Sequence, residues 1–169
     1  GLERGGAPVV AAASRGICPA GDMIKGGPAT IRAAGVADAP ALARMRYAFR
    51  ASLAEPSEGA EAFIGRCSAW MAERLGDGRH WRAWVAERDG RRVGTVWLGT
   101  VEKIPNPAPE PEEYGYITNM FVVPEERGRG IGAALVAEAV RWCEARGVHS
   151  IILWSTRRSP PLYRRYGFG

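Results

Sequence analysis

YITNMFVVPEERGRGIGAAL, residues 116–135, decides the fold. Its first half is rich in the aromatic and β-branched residues that strands favour, and Pro124, which has no amide to give a ladder, closes a strand over residues 114–123. Residues 125–129 then lead through a glycine-rich turn into a helix. Ile131, Leu135, Val136, Ala139, Val140 and Cys143 form its apolar face at helical spacing, and Gly147 stops it. A strand that passes through such a turn straight into a helix is a geometry for phosphate. Glycines let the backbone approach closely, and the free amides of the first helical turn, aided by the helix dipole, point at the anion.

Further elements lie on both sides. Downstream, residues 148–154 read as a buried strand and residues 160–166 as a short final helix. Upstream, residues 81–87 and 92–101 are strand-like runs flanking Asp89-Gly90, a dipeptide that supplies the positive φ angles of a tight hairpin. Residues 104–113, IPNPAPEPEE, form a Pro-rich acidic loop. Leu42, Met45, Phe49 and Leu53 recur at helical spacing behind Asp38 as N-cap and Pro40 in the first turn. Phe63, Cys67, Trp70, Met71 and Leu75 mark a second helix after a loop at 54–59, and residues 30–33 make a short strand. The order β-α-α-β-β-β-α-β-α predicts an α/β (α+β) fold, a mixed twisted sheet flanked by helices. Residues 1–29, rich in Gly, Ala and Pro without an apolar period, are expected to be a flexible leader, with Met23 as the natural start. Residues 30–169 then make one domain.

The bulk numbers narrow the function classes. A chain of 169 residues with 46% hydrophobic content fills one core and leaves no room for a second domain. No apolar run approaches the roughly 20 residues that span a bilayer, and the start lacks the plan of a secretion signal, so no membrane partner and a cytoplasmic location are expected. Cys18, Cys67 and Cys143 are odd in number and form no C-x-x-C pair, and with only His80 and His149 beside them neither a disulfide framework nor a metal site is indicated. The net charge of +5 comes from arginine, since Lys25 and Lys103 are the only lysines. Arginine suits phosphate because its planar fork donates two hydrogen bonds at once.

Three phosphate-binding readings compete for the turn. A Walker loop requires a Lys followed by Ser or Thr, and neither is present. Residues 128–133 fit the dinucleotide pattern G-x-G-x-x-A, yet that pattern wants an acidic residue about 20 positions on, and no Asp or Glu follows Glu144. There remains Arg127-x-x-Gly130-x-Gly132 after a strand ending in V-V-P, and in this the sequence resembles the GNAT acetyltransferases. A second motif, Leu162-Tyr163-Arg164-Arg165-Tyr166-Gly167-Phe168, is similar to that family's L-Y-x-x-x-G-F signature. The element order agrees too, so the resemblance runs through residues 30–169.

The resemblance implies acetyl-CoA as acyl donor and an N-acetyltransferase that moves acetyl directly to a primary amine. Backbone groups of Met120, Phe121 and Val122 would hold the thioester and pantetheine, in the opening between the strands at 114 and 148. Amides of Gly128, Arg129, Gly130, Ile131, Gly132 and Ala133 would cradle the pyrophosphate, with charge added by Arg127 and Arg129. Thr156 stands where many members carry an Asn that reaches the pantetheine arm. The amide of Met120 would stabilise the developing oxyanion, and Tyr163 would protonate the leaving thiolate as general acid. For the base, Ile151 stands where the ribosomal-protein acetyltransferases carry a Glu and Tyr116 where the histone-type members do. That leaves Glu112 or Glu113 acting through a water, or no dedicated base. The family continues past its G-F for two further strands, which are expected to be absent here.

The acceptor is a small-molecule or protein amine, and a homodimer is the commoner assembly among members. Arg157, Arg158, Arg164 and Arg165 make a nucleic-acid backbone the runner-up partner, against which few aromatics interleave with them and the phosphates of CoA need cations of their own; a GNAT-like module that binds acyl-CoA without turnover is a third class. Glu110, Glu112 and Glu113 read first as a solvated loop.

Overall fold

A computed structural model describes residues 8–12, as backbone, and 28–154. Its strands are β1 (Pro8–Ala12), β2 (Thr30–Ala33), β3 (Trp81–Arg88), β4 (Arg91–Glu102), β5 (Glu113–Val122) and β6 (Ser150–Trp154). Its helices are α1 (Ala39–Ala51), α2 (Ala60–Asp77) and α3 (Ile131–Ala145). The six strands form one sheet in the order β1-β6-β5-β4-β3-β2. β2 to β5 are an antiparallel meander, while β5 and β6 run parallel because α3 carries the chain back between them. This is the mixed sheet with flanking helices that the sequence predicts, and the final helix at 160–166 lies outside the described residues.

Side chains of a strand alternate between its two faces, and β4 feeds two cores in this way. Val96 and Leu98 join Ile117, Leu135, Val136, Ala139, Cys143, Ile151 and Leu153 on the α3 face. Trp97 turns the other way, to Leu42, Ala43, Met71 and Val85 beneath α1 and α2. The hairpin at Asp89-Gly90 is as expected, with φ of 49° and 71°.

Three local expectations change. Pro8–Ala12, within the segment read as a leader, pairs antiparallel with β6 from Pro8↔Trp154 to Ala12↔Ser150. The run PVVAA is apolar and partly β-branched, and it meets the open outer edge of an apolar strand, whose amides and carbonyls need partners. Asp38 precedes α1 as expected but makes no side-chain cap there. Its carboxylate accepts from Arg32 Nη1 and Nη2, Arg92 Nε and the Gly35 amide, stronger partners than one helix amide. Leu53 lies past the end of α1 and is exposed.

Candidate active site

The site begins with an irregularity in β5. Phe121 pairs with Thr95 and Thr118 with Trp97, so Asn119 and Met120 together oppose Val96 and form a bulge. Asn119 takes a φ of 51°, in the left-handed region where Asn is among the better-tolerated side chains. On its other side, among the described residues, β5 pairs with β6 from Gly115↔Ile151 to Ile117↔Leu153. β5 therefore runs on for five residues, Thr118 to Val122, beyond its last described partner on β6. Met120 packs into the α3 core, and Phe121 and Val122 are buried.

The turn that follows is built around glycine. After the 3₁₀ turn Pro124–Glu126, Gly128 and Gly130 have φ of 76° and 75°. A Cβ at either would meet nothing within 4 Å, so what disfavours other residues is backbone conformation rather than space. Gly130 is the N-cap of α3 and, being glycine, brings no capping side chain of its own, and no acidic residue lies in the first turn. The helix thus presents its positive end without a competing carboxylate, which fits a phosphate-bearing ligand.

The surrounding charges hold this turn in place. Arg88, whose side chain is 9% exposed, donates from Nη1 to Glu126 at 2.7 Å and so ties β3 to the 3₁₀ turn. Arg129 Nε lies 3.6 Å from the same carboxylate. Arg127 Nε donates to the Val122 carbonyl at 3.0 Å and its guanidinium lies 5.7 Å from the centre of the Phe121 ring. The two arginines expected near the phosphates thus flank the turn, one folded back on β5 and one shared with Glu126.

A second wall lies on the face of β5 that meets α1. Arg46 of α1 donates to Asn119 Oδ1 at 3.2 Å, and the rings of Phe49 and Phe121 are 5.9 Å apart. Burial pushes the Arg46 guanidinium down, and Arg50, Cys67 and Tyr116 are the ionisable groups that bear on it. Burial also raises the Cys67 thiol. Sequence reading passed over Arg46 and Asn119. A pairing bulge leaves no mark in composition, and an arginine within a helix reads as solvated surface.

Met120, Phe121, Val122, Arg127, Gly128, Arg129, Gly130, Ile131, Gly132 and Ala133 lie together along the end of β5 and the start of α3. Tyr163 and Thr156 lie outside the described residues, as do Arg157, Arg158, Arg164 and Arg165. Glu113 stands at the opposite end of β5, within 4.0 Å of Arg146. It is six residues before Asn119, or roughly 20 Å at the rise of a strand. Glu110 is held by Lys103 at 2.8 Å and by Asn106. The acidic loop is therefore not brought to the bulge. The rings of Trp70, Trp81 and Trp97 cluster edge-on and tilted, with centroids 5.7, 6.0 and 6.3 Å apart. Among the described residues no group of three His, Cys, Asp or Glu is placed to hold a metal ion, and no helix is long and apolar enough to cross a membrane.

A strand bulged beside a parallel neighbour and a glycine turn opening onto a helix define a mixed α/β sheet with a candidate anion site, and comparison with known proteins gives the family. The profile described as "Acetyltransferase (GNAT) family" matches residues 46–168, so the chain belongs to that family. A crystal structure of a GCN5-related N-acetyltransferase from Ralstonia eutropha JMP134 has 29% identity and a TM-score of 0.68, covering 83% of this chain and 92% of that one. A predicted acetyltransferase from Clostridium acetobutylicum, crystallised with acetyl-CoA, superposes with a TM-score of 0.73 at 24% identity, covering 83% of this chain and 90% of that one. An uncharacterized N-acetyltransferase of Methanocaldococcus jannaschii is 33% identical over 107 residues, 59% of this chain and 42% of that protein. A mycothiol acetyltransferase of Cellulomonas flavigena is 36% identical over 89 residues, 50% of this chain and 25% of that protein. The chain thus spans less than half the length of these two relatives.

Proposed function

We propose that the chain is an acetyl-CoA-dependent N-acetyltransferase that moves acetyl directly to a primary amine on a small molecule or protein, in the cytoplasm. The observation that carries this is the glycine turn, Gly128 to Gly130, at an acid-free N-terminus of α3 immediately beyond the bulged end of β5. A helix start of this kind suits a pyrophosphate, and a strand that continues past its described pairing with β6 has backbone groups to offer a pantetheine arm. Family membership and the acetyl-CoA in the Clostridium acetobutylicum structure support the same donor.

Acetyl-CoA supplies the activated carbonyl and the leaving thiolate. The Met120 amide, next to the left-handed Asn119, is the candidate donor to the developing oxyanion. Tyr163 is the candidate acid for the thiolate. With Glu113 at the far end of β5, no carboxylate of the acidic loop serves as base in this arrangement, and the amine enters in its neutral form.

Calorimetric titration of acetyl-CoA, beside ATP and a DNA oligonucleotide, tests the donor. Micromolar binding of acetyl-CoA alone, followed by amine-dependent release of CoA, is expected. Tyr163→Phe should keep that binding and lower turnover about 10²-fold. A titration in which DNA binds and CoA fails to compete would replace this reading with a nucleic-acid one.

A further inference from the structure

Helix α1, APALARMRYAFRA, contains arginines at 44, 46 and 50 and no acidic residue. Arg46 and Arg50 stand one turn apart on it, a spacing at which like charges repel, and Arg50 does bear on Arg46. Arg46 is half-buried, and its hydrogen-bond partner is the neutral Oδ1 of Asn119. Among the described residues no carboxylate pairs with it, whereas Arg32, Arg66, Arg88 and Arg92 each reach an acid. Outside the described residues the sequence holds two acidic side chains, Glu3 and Asp22, and residues 155–169 hold none. A desolvated cation whose described partner is a neutral oxygen is costly, and an arriving anion recovers that cost.

The position says which anion. The phosphates of the donor are assigned to the start of α3, while Arg46 stands on the α1 face of β5 and touches the residue before Met120. A group bound to Arg46 is therefore close to the carbonyl under attack. We infer that Arg46, backed by Arg50, is the subsite for an anionic group on the acceptor. The acceptor is then a primary amine carrying a carboxylate or phosphate a few bonds from its nitrogen. The guanidinium fork matches either group with two hydrogen bonds. This inference rests on the acetyl transfer proposed above and names the acceptor class of the same site.

The test uses matched amines with acetyl-CoA as donor: glycine, L-alanine and L-phenylalanine against their carboxamides, and glucosamine 6-phosphate against glucosamine. CoA release gives kcat/KM for each, and calorimetry on CoA-saturated protein gives Kd without turnover. In at least one pair the anionic member should be favoured by about tenfold or more on both scales. The pair that responds tells carboxylate from phosphate. Arg46→Gln should bring the ratio close to one and Arg46→Lys should keep part of it. Asn119→Asp retains a residue that tolerates the left-handed region and hands Arg46 an acid of its own, so it should depress the ratio with the arginine in place. Equal handling of both members by the wild type, no binding of any anionic amine, or an unchanged ratio in Arg46→Gln overturns the inference while acetyl-CoA binding keeps the enzyme reading. A weakened acetyl-CoA Kd in Arg46→Gln would assign Arg46 to the donor and overturn it too. Absence of acetyl-CoA binding by the wild type overturns both.

Discussion

Asp38 is 3% exposed and accepts hydrogen bonds from two arginines and a backbone amide, which hold its carboxyl well below the usual carboxylate range, with Arg32 the largest cause. Through Arg32 the network also takes in Glu87, so one buried acid joins β2, β3, β4 and the start of α1. Asp38→Asn leaves two guanidiniums short of a partner and should cost about 2–3 kcal/mol, discounted because Arg32 and Arg92 are partly exposed. Chemical denaturation at pH 7 measures it. The sign with pH follows from the lowered folded-state value. The stabilisation is complete above the unfolded carboxyl's pKa, near 4, and is lost as pH falls from there through the folded value. The difference between wild type and Asp38→Asn should therefore be constant from pH 7 down to about 5 and narrow below it. A gap that widened on acidification would contradict the assignment. In sequence this residue reads as an N-cap because Asp before a Pro-bearing helix start is the local signal. The three donors come from 3 to 54 residues away, and no local pattern carries them.

At the scale of elements, β5 and α3 meet where Gly115 lets the strand press against Cys143. A Cβ on Gly115 would lie 2.9 Å from Cys143 Sγ and 3.3 Å from Leu98 Cδ1. Burial there is tight enough to push the Cys143 thiol up to about 12. Gly115→Ala should destabilise by about 1–3 kcal/mol through overpacking. Adding Cys143→Ala should return part of that loss, a coupling that a double-mutant cycle in denaturant reads directly. The same pair of elements explains what the sequence makes legible. Residues 131–143 announce α3 by period, and Asp89-Gly90 announces its hairpin by turn chemistry, because both are decided within a few residues. The glycine turn before α3 is legible for the same reason. The bulge at Asn119 is not, since it exists only as a mismatch of register between β4 and β5. With the bulge unseen, Arg46 has no visible partner and its place at the site stays hidden.

For the molecule as a whole, β6 shows how an edge is managed. On one side it pairs with β5 over three residues, and on the other β1 covers all five of its positions. Its sequence, SIILW, is apolar and β-branched, with Ile151 and Leu153 buried in the α3 core. An edge of that composition with open amides and carbonyls recruits another strand. The cover is a short segment 18 residues before the next strand, so it is tied to the domain by a long connection whose closure costs entropy. Deleting residues 1–12 should therefore leave the main sheet folded, because the described members of both cores lie in residues 28–154. It should also free the β6 edge for a second copy. Light scattering after gel filtration should find the shortened chain more associated than the intact one, increasingly so with concentration. Pro in place of Ile152, a residue between the two buried ones and half-buried itself, would remove an amide from that edge strand. If the shortened chain stays at the same mass as the intact one across the range, β1 does not protect this edge.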